Sequence, residues 1–313
     1  MALKTLMASL ALAGVASIVP ATAAQLTVGF SQIGSESGWR AAETTVSKSE
    51  ASKRGVNLKI ADAQQKQENQ IKAIRSFIAQ NVDAIFLAPV VSSGWDAVLK
   101  EASQAKIPVI LLDRDIDPSG KDLYLTAVTS DSVHEGEVAG DWLAKAVGNK
   151  QCNVVELQGT VGAAPAIDRQ KGFAEAIKAN PNIKVVKSQS GNFTRAEGKT
   201  VMQSILQSTP DIDVLYAHND DMGLGAIEAI EAAGKKPGKD IQIITVDAVK
   251  DGMTALSEGK INYIVECSPL LGPQLMDLAK KVKDKQDVPQ RVLTEETTFT
   301  QEQAKAALPD RKY

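Results

Sequence analysis

The segment Leu58–Pro89, LKIADAQQKQENQIKAIRSFIAQNVDAIFLAP, gives the clearest indication of the fold of this chain. It begins and ends with short apolar runs, Leu58–Asp62 and Ala84–Pro89, which are typical of strands in a parallel sheet that is covered on both faces. The segment between them, Gln67–Gln80, has the period of an amphipathic helix. The apolar residues that we expect to face the sheet are Ile71, Ile74, Phe77 and Ile78. A strand, a helix and a second strand within about 30 residues predict a βαβ unit.

The same alternation continues along the chain in two series, one on each side of Ser130–Asp131. The further strand candidates are Leu26–Phe30, Val109–Asp113, Tyr124–Val128, Asn153–Leu157, Lys184–Ser188, Val214–Ala217, Ile241–Val246 and Tyr263–Glu266. Strands that alternate with helices predict an α/β protein with open parallel sheets, and two series predict two similar lobes. No low-complexity stretch separates the series, so we expect short strand-like hinge segments rather than a flexible tether.

The first residues have the form of a cleavable export signal. The apolar run Leu6–Val19 has 14 residues, fewer than the roughly 20 that a membrane-spanning helix needs. Ala21-Thr22-Ala23 has the small-x-small pattern that signal peptidase accepts. We therefore predict a signal peptide over residues 1–23 and a mature chain that starts near Ala24 or Gln25.

Charge and cysteine content argue against a nucleic-acid-binding protein and against a disulfide-stabilised one. The formal net charge of −3 leaves no basic excess for binding nucleic acid. Cys152 and Cys267 are more than 100 residues apart, which makes a poor disulfide framework. We expect two buried free thiols, with a disulfide between them as the less favoured alternative.

Motifs for catalysis, metals and cofactors are missing or incomplete. His134 and His218 belong to no zinc-binding pattern, and the glycines of Gly191–Thr200 are too far apart for a phosphate loop. A glycosidase would need paired carboxylates, for which Glu36 and Asp113 are the candidates. We favour a binding role because each has an arginine nearby. We predict no catalytic residues, no metal and no cofactor.

Polar side chains follow the predicted strands of the first lobe, where ligands of open α/β sheets bind. After the first strand, Glu36, Trp39 and Arg40 stand at the start of a helix. The Trp39 ring could cover the apolar face of a sugar or pack against its own lobe, and Glu36 and Arg40 could form a simple helix ion pair. Asp113 and Arg114 follow the fourth strand and suit vicinal hydroxyls, because a carboxylate accepts two hydrogen bonds and a guanidinium donates a planar fork. A structural salt bridge is their alternative.

The second lobe repeats this arrangement. Arg169 is predicted in the first turn of a helix, where the helix dipole favours acids, so a role in binding is more plausible there. Asn219 follows the strand Val214–Ala217 and can both donate and accept hydrogen bonds. Asp247 follows the strand Ile241–Val246. The recurrence of such residues at strand ends predicts a cleft for a neutral polyol.

Long runs of the chain resemble the periplasmic sugar-binding proteins of the ribose/galactose type, and among them those that bind galactofuranose. The runs are VGFSQIGSESGWRAAE from Val28, KIADAQQKQENQIKAIRSF from Lys59, NVVELQGTVGA from Asn153, AIDRQKGFAEAIK from Ala166 and YAHNDD from Tyr216. One departure is Ala248, after Asp247, where relatives usually carry glycine. The likeness covers nearly the whole mature chain.

The resemblance implies a periplasmic binding protein of type I, with two Rossmann-like lobes joined by a hinge of three segments. The N-terminal lobe would hold residues 24–130 and about 268–290, and the C-terminal lobe residues 131–267 and about 291–313. The protein would be a periplasmic monomer that delivers a monosaccharide, galactofuranose by preference, to an inner-membrane ABC permease. A different pentose or hexose, or a signalling receptor for a sugar or autoinducer, is the alternative.

The resemblance also implies a set of ligand contacts. They are Glu36, Ser37, Gly38, Trp39, Arg40, Asp113, Arg114, Arg169, Asn219 and Asp247, with Phe193 and Glu266 as two further candidates. Phe193 matches a position where pentose-binding relatives place a second aromatic ring. Glu266 is expected on the hinge.

Overall fold

The computed structural model describes residues 25–313, so the predicted signal peptide lies outside the described residues. Within them, none of the helices combines the length and the apolar character that a membrane crossing requires. The strands are β1 (Thr27–Gln32), β2 (Asn57–Asp62), β3 (Ala84–Leu87), β4 (Val109–Asp113), β5 (Thr126–Thr129), β6 (Cys152–Gln158), β7 (Ile183–Ser190), β8 (Val214–Ala217), β9 (Gln242–Asp247), β10 (Tyr263–Glu266), β11 (Arg291–Leu293) and β12 (Thr298–Phe299). The helices are α1 (Gly38–Lys53), α2 (Gln67–Ala79), α3 (Asp96–Gln104), α4 (Ser132–Val147), α5 (Ala164–Ile177), α6 (Arg195–Ser208), α7 (Asp220–Ala232), α8 (Lys250–Ser257), α9 (Gly272–Lys283) and α10 (Gln301–Ala307).

Two six-stranded sheets form the centres of two α/β lobes. The first has the order β11-β5-β4-β3-β1-β2 and the second the order β12-β10-β9-β8-β6-β7. Only the pair β10–β12 is antiparallel among the pairings of the described strands. The prediction of two lobes with parallel sheets is confirmed.

The predicted βαβ unit is β2–α2–β3, and β1 lies between its two strands. On α2, Ile74 and Phe77 are buried, and the half-buried Ile71 and Ile78 pack against the same cluster, as expected from the helical period. The Phe77 ring lies directly over Gly29, where an added Cβ would come within 2.3 Å of it. Glycine at this position therefore allows α2 to approach the sheet.

One expectation about burial fails at the edge of the sheet. All four residues of β3 are buried, but the residues of β2 are exposed or half-buried. Since β2 is the last strand of its sheet and has a neighbour on one side only, its rim is open to solvent. An apolar run alone could not reveal which strand would lie at the edge.

Three segments cross between the lobes, after β5, after β10 and between β11 and β12. The Ser130 hydroxyl in the first crossing joins all three, because it lies 3.3 Å from Cys267 Sγ, 3.2 Å from Thr294 Oγ1 and 2.5 Å from Glu296 Oε1. Strand β11 pairs with β5 in the first sheet, so the third crossing begins after Leu293. Both cysteines are buried and free, as expected.

Candidate ligand site between the two lobes

A cavity lies where the carboxyl ends of both sheets converge. Its lining residues are Glu36, Ser37, Trp39, Arg40, Asp113, Arg114, Pro165, Arg169, Phe193, Asn219, Asp247 and Cys267. Ten of these were predicted from the sequence. The structure thus brings together candidates from both lobes that are up to about 200 residues apart in the chain.

Arg40 is held by three carboxylates of the first lobe. Its Nε lies 3.1 Å from Glu36 Oε1, its Nη1 3.3 Å from Glu43 Oε2 and its Nη2 2.5 Å from Asp113 Oδ2. Burial favours the neutral form, but the attraction of the three carboxylates outweighs it and raises the pKa of Arg40 above its ordinary value. The residue is therefore a fixed, charged hydrogen-bond donor, and Glu36 and Arg40 form the i,i+4 pair that was the alternative reading.

Arg114 is also buried, but its charge has fewer carboxylate partners than that of Arg40. Its Nη1 donates to the carbonyl oxygen of Val90 at 3.0 Å, and its Nε lies 3.3 Å from Asp113 Oδ2 without a hydrogen-bond partner among the described residues. Burial lowers the pKa of Arg114 to about 10, an effect that Asp113 only partly offsets. The guanidinium carbon lies 5.0 Å from the centre of the Phe193 ring, which belongs to the other lobe.

Arg169 is the charged donor of the second lobe. Its Nε donates to Glu135 Oε2 at 2.6 Å and its Nη1 to the carbonyl oxygen of His218 at 2.7 Å. Burial opposes the charge, but Glu135, followed by Cys267 and Asp247, outweighs it and raises the pKa of Arg169. Helix α5 begins at Ala164, so Arg169 lies in the second turn, not in the first as predicted. Its position is set by Glu135 of α4, and the argument from the helix dipole was wrong.

Asn219 and Asp247 stand at the ends of β8 and β9. Asn219 is the N-cap of α7: its Oδ1 accepts from the backbone N–H of Met222 at 3.0 Å, and its Nδ2 donates to the carbonyl oxygen of Phe193 at 3.0 Å. One amide N–H of Asn219 remains for a ligand. Burial raises the pKa of Asp247 well above its usual range, and the nearby Asp220 adds to this effect.

Two aromatic rings reach the cavity from opposite lobes. Trp39 is anchored by its Nε1, which donates to the carbonyl oxygen of Cys267 on the hinge at 2.7 Å. The Phe193 ring covers Gly159 so closely that an added Cβ there would come within 1.9 Å of it. The Trp39 ring is therefore held by a hydrogen bond and the Phe193 ring by close packing.

Three residues of the site have a backbone conformation that side chains rarely adopt. The φ angles are 64° at Asp113, 63° at Phe193 and 127° at Asp247. Ala248 also has a positive φ of 66°, so the turn keeps a left-handed conformation although its residue is not glycine. Strained backbone conformations of this kind cluster at functional sites, where the surrounding structure holds them in place.

The structure does not bring two of the predicted residues to the cavity. Glu266 turns to the C-terminal tail, where its Oε1 accepts from Arg311 Nη1 at 2.7 Å and from the Tyr313 hydroxyl at 2.9 Å. Glu266 ends β10 beside the second crossing, and the C-terminal tail, far away in sequence, offers its side chain these partners, so its contact with a ligand stays a prediction. Gly38 donates its backbone N–H to Asp221 Oδ2 at 2.7 Å and does not line the cavity.

Pro165 and Cys267 line the cavity but were not predicted. Cys267 directly follows β10, so the rule that located Asp113 and Asp247 could have found it. Pro165 has no polar side chain and gave no signal.

Comparisons with known proteins agree with this architecture. Residues 28–287 match the family described as periplasmic binding protein domain. The galactofuranose-binding protein of Escherichia coli (strain K12) is 58% identical over 296 residues, which cover 93% of each chain.

Two solved structures extend the comparison. A Mycobacterium smegmatis protein in complex with β-D-fucofuranose is 60% identical, with a TM-score of 0.90 over 92% of this chain and 95% of that one. The binding component of the arabinose ABC transporter of Shewanella sp. ANA-3, bound to α- and β-L-arabinofuranose, is 50% identical, with a TM-score of 0.88 over 91% of this chain and 95% of that one. The chain therefore belongs to the periplasmic binding protein family, a family of binding proteins rather than enzymes.

Proposed function

We propose that this periplasmic binding protein captures a monosaccharide in its furanose form, with galactofuranose as the first candidate, and delivers it to an ABC permease. The observation that carries the proposal is a set of buried charged groups, from both lobes, around one cavity. Two of them, Glu36 Oε2 and Arg114 Nε, have no hydrogen-bond partner among the described residues. A buried polar group without a partner costs about 1–3 kcal/mol, so sugar hydroxyls that complete these bonds would be bound favourably.

The charges around the cavity favour a neutral ligand. The basic lining residues are Arg40, Arg114 and Arg169, and the acidic ones are Glu36, Asp113 and Asp247. A ligand with a carboxylate or an amine would leave one set unbalanced in a buried site, which is costly. A hydroxyl donates and accepts at once, so a polyol can bond to both sets.

The two aromatic walls suit the other surface of a sugar. Trp39 belongs to the first lobe and Phe193 to the second, and both line the cavity. Their faces can cover the C–H surfaces of a small ring while the charged groups bind its hydroxyls. The relatives with fucofuranose and arabinofuranose make a five-membered ring the first choice.

The ligand contacts are Glu36, Ser37, Trp39, Arg40, Asp113, Arg114, Phe193, Arg169, Asn219 and Asp247. The protein acts in the periplasm as a monomer after removal of residues 1–23, and an inner-membrane ABC permease receives the sugar. The two lobes divide at the three crossings near Ser130, Cys267 and Thr294, and closure on the sugar presents one shape to that permease.

Titration calorimetry of the mature chain tests the ligand. D-galactose, which interconverts with its furanose form, is compared with methyl β-D-galactopyranoside, which is locked in the six-membered ring. We expect binding of galactose with an apparent Kd of about micromolar order and no heat with the locked pyranoside. Equal binding of both would overturn the furanose assignment. Absence of binding to galactose, L-arabinose and D-fucose would overturn the sugar-binding function.

A matched pair of variants tests whether the heat measured by calorimetry comes from binding in the cavity between the lobes. Glu36→Gln removes the charge of a buried carboxylate in the cavity, and we expect the Kd to rise about tenfold or more. Glu101→Gln makes the same change in a surface ion pair with Arg75 and is the control. Equal affinities of the two variants would place the ligand elsewhere.

A further inference from the structure

The N-terminal end of α1 contacts the N-terminal end of α7 across the cleft. Helix α1 begins at Gly38 and has no acidic residue in its first turn. Helix α7 begins at Asp220 and has two acidic residues there. The N-terminus of a helix carries unpaired N–H groups and a partial positive charge. Two such ends repel each other unless a negative charge lies between them.

Asp221 supplies that charge. Its Oδ2 accepts the backbone N–H of Gly38, the first helical residue of α1, at 2.7 Å. Its Oδ1 accepts from Arg195 Nε at 3.1 Å, and Arg195 Nη2 also lies 3.0 Å from Asp251 Oδ2. Although Asp221 belongs to the second lobe, it completes a helix end of the first.

The neighbouring acid cannot take this role. Asp220 is fully buried and points into its own lobe, where its Oδ1 accepts from the Thr245 hydroxyl at 2.5 Å and its Oδ2 from the backbone N–H of Val249 at 2.8 Å. On the other lobe, the N-cap Ser37 bonds to the N–H of Arg40, which leaves the Gly38 N–H to Asp221.

We infer that Asp221 is a closure residue: it stabilises the closed arrangement of the lobes and thereby sets sugar affinity without touching the sugar. The inference rests on the proposed function, since it concerns closure over a ligand. Asp221 does not line the cavity. Its contribution is the same for every sugar, and it acts on dissociation, because the lobes must part before a ligand leaves.

Substitution of Asp221 tests the charge. Asp221→Asn keeps an acceptor oxygen but loses the charge, and Asp221→Ala loses both. We expect Kd to rise several-fold in the first and about tenfold in the second. The increase appears mainly in the dissociation rate and by the same factor for galactose and L-arabinose. Asp251→Asn is the control, since Asp251 shares Arg195 and is exposed; its Kd should change less than twofold.

Substitution of Gly38 tests the same contact from the other lobe. Gly38→Pro replaces the N–H that Asp221 accepts with a ring Cδ that cannot donate and that displaces the carboxylate, at a helix position where proline is favoured. The preceding Ser37 is already extended, with φ −144° and ψ 162°, as proline requires. Gly38→Ala keeps the N–H, and its Cβ would meet only Asp221 Oδ2, at an ordinary 3.4 Å. We expect the Kd of the proline variant to exceed that of the alanine variant about tenfold, with no further loss when Asp221→Ala is added.

The results distinguish a failure of the closure role of Asp221 from a failure of sugar binding itself. A wild-type protein that binds no sugar overturns both. A wild-type protein that binds while the Asp221 and Gly38→Pro variants keep its Kd overturns the closure role alone. A change in the ratio of the Kd values for the two sugars also overturns it, because such a residue would contact the ligand. If the Asp221 variants fail to fold, the comparison of Gly38→Pro with Gly38→Ala decides.

Discussion

Each arginine of the cavity has a different degree of charge compensation. Arg40 has three carboxylate partners, and Arg169 has Glu135 and a backbone carbonyl. Arg114 shares Asp113 with Arg40, and burial lowers its pKa to about 10. A ligand hydroxyl that accepts a hydrogen bond therefore gains most at Arg114, where the charge is least satisfied by the protein.

A conservative change at Arg114 should therefore weaken binding. Arg114→Lys keeps a positive charge but loses the planar fork and its stacking on Phe193, 5.0 Å away. We expect the Kd for sugar, measured by calorimetry, to rise about tenfold. Arg75→Lys, in an exposed ion pair, is the control, and an unchanged Kd in Arg114→Lys would contradict a donor role for the guanidinium.

Helices α4 and α5 pack closely because glycine lies on both sides of their contact. A Cβ at Gly172 would come within 1.9 Å of the carbonyl oxygen of Val133, and one at Gly136 within 2.2 Å of that of Arg169. This close approach brings Glu135 of α4 to hydrogen-bond distance from Arg169 of α5. The packing of these two helices thus positions the charged donor of the second lobe.

A single methyl group between these helices should affect both stability and binding. In Gly172→Ala the added Cβ meets backbone, which cannot rotate away, so the helices must shift. We expect the free energy of unfolding in urea to fall by about 3 kcal/mol and sugar affinity to fall with it. Lys171→Ala, exposed on the same helix, is the control. Full stability in Gly172→Ala would mean that the helices can separate at little cost.

The hinge contains a carboxyl group that links pH to the stability of the whole molecule. Burial raises the pKa of Glu296 to about 8, and repulsion from Glu135 adds to the effect. Glu296 Oε1 accepts hydrogen bonds from Ser130 and Thr294, so the group joins the first and third crossings. In the folded protein Glu296 therefore stays protonated up to about pH 8, whereas an ordinary glutamate loses its proton near pH 4.5.

The sign of the pH dependence follows from this shift. Between its ordinary pKa of 4.5 and about 8, Glu296 holds its proton in the folded state but releases it in the unfolded state. The stabilisation of the folded state by Glu296 is therefore fully present below pH 4.5 and is lost as the pH rises through about 8. We expect the free energy of unfolding, measured in urea, to fall by about 2 kcal/mol between pH 5 and pH 8.5.

A variant isolates the hinge carboxyl from other groups that titrate in this window. Glu296→Gln cannot release a proton, so its stability should change less with pH than that of the wild type. Glu295→Gln, at the neighbouring exposed position, should keep the wild-type slope. Parallel profiles for the wild type and Glu296→Gln would remove the hinge carboxyl as the cause.

The class of the fold and most lining residues of the candidate site could be predicted from the amino-acid sequence alone. Helical and strand periods depend on neighbouring residues, so the βαβ unit at Leu58–Pro89 could be read directly. Parallel strands all end at the same edge of a sheet, so polar residues such as Asn219 and Asp247 in the second sheet could be placed together before any contact was known.

The contacts between side chains that are far apart in the chain could be found only in the folded protein. The contact of Asp221 with Gly38, the capture of Glu266 by the C-terminal tail and the ion pair that orients Arg169 each join residues from separate elements. Local periodicity contains no information about such pairs. They are fixed by the packing of helices within a lobe and by the approach of one lobe to the other.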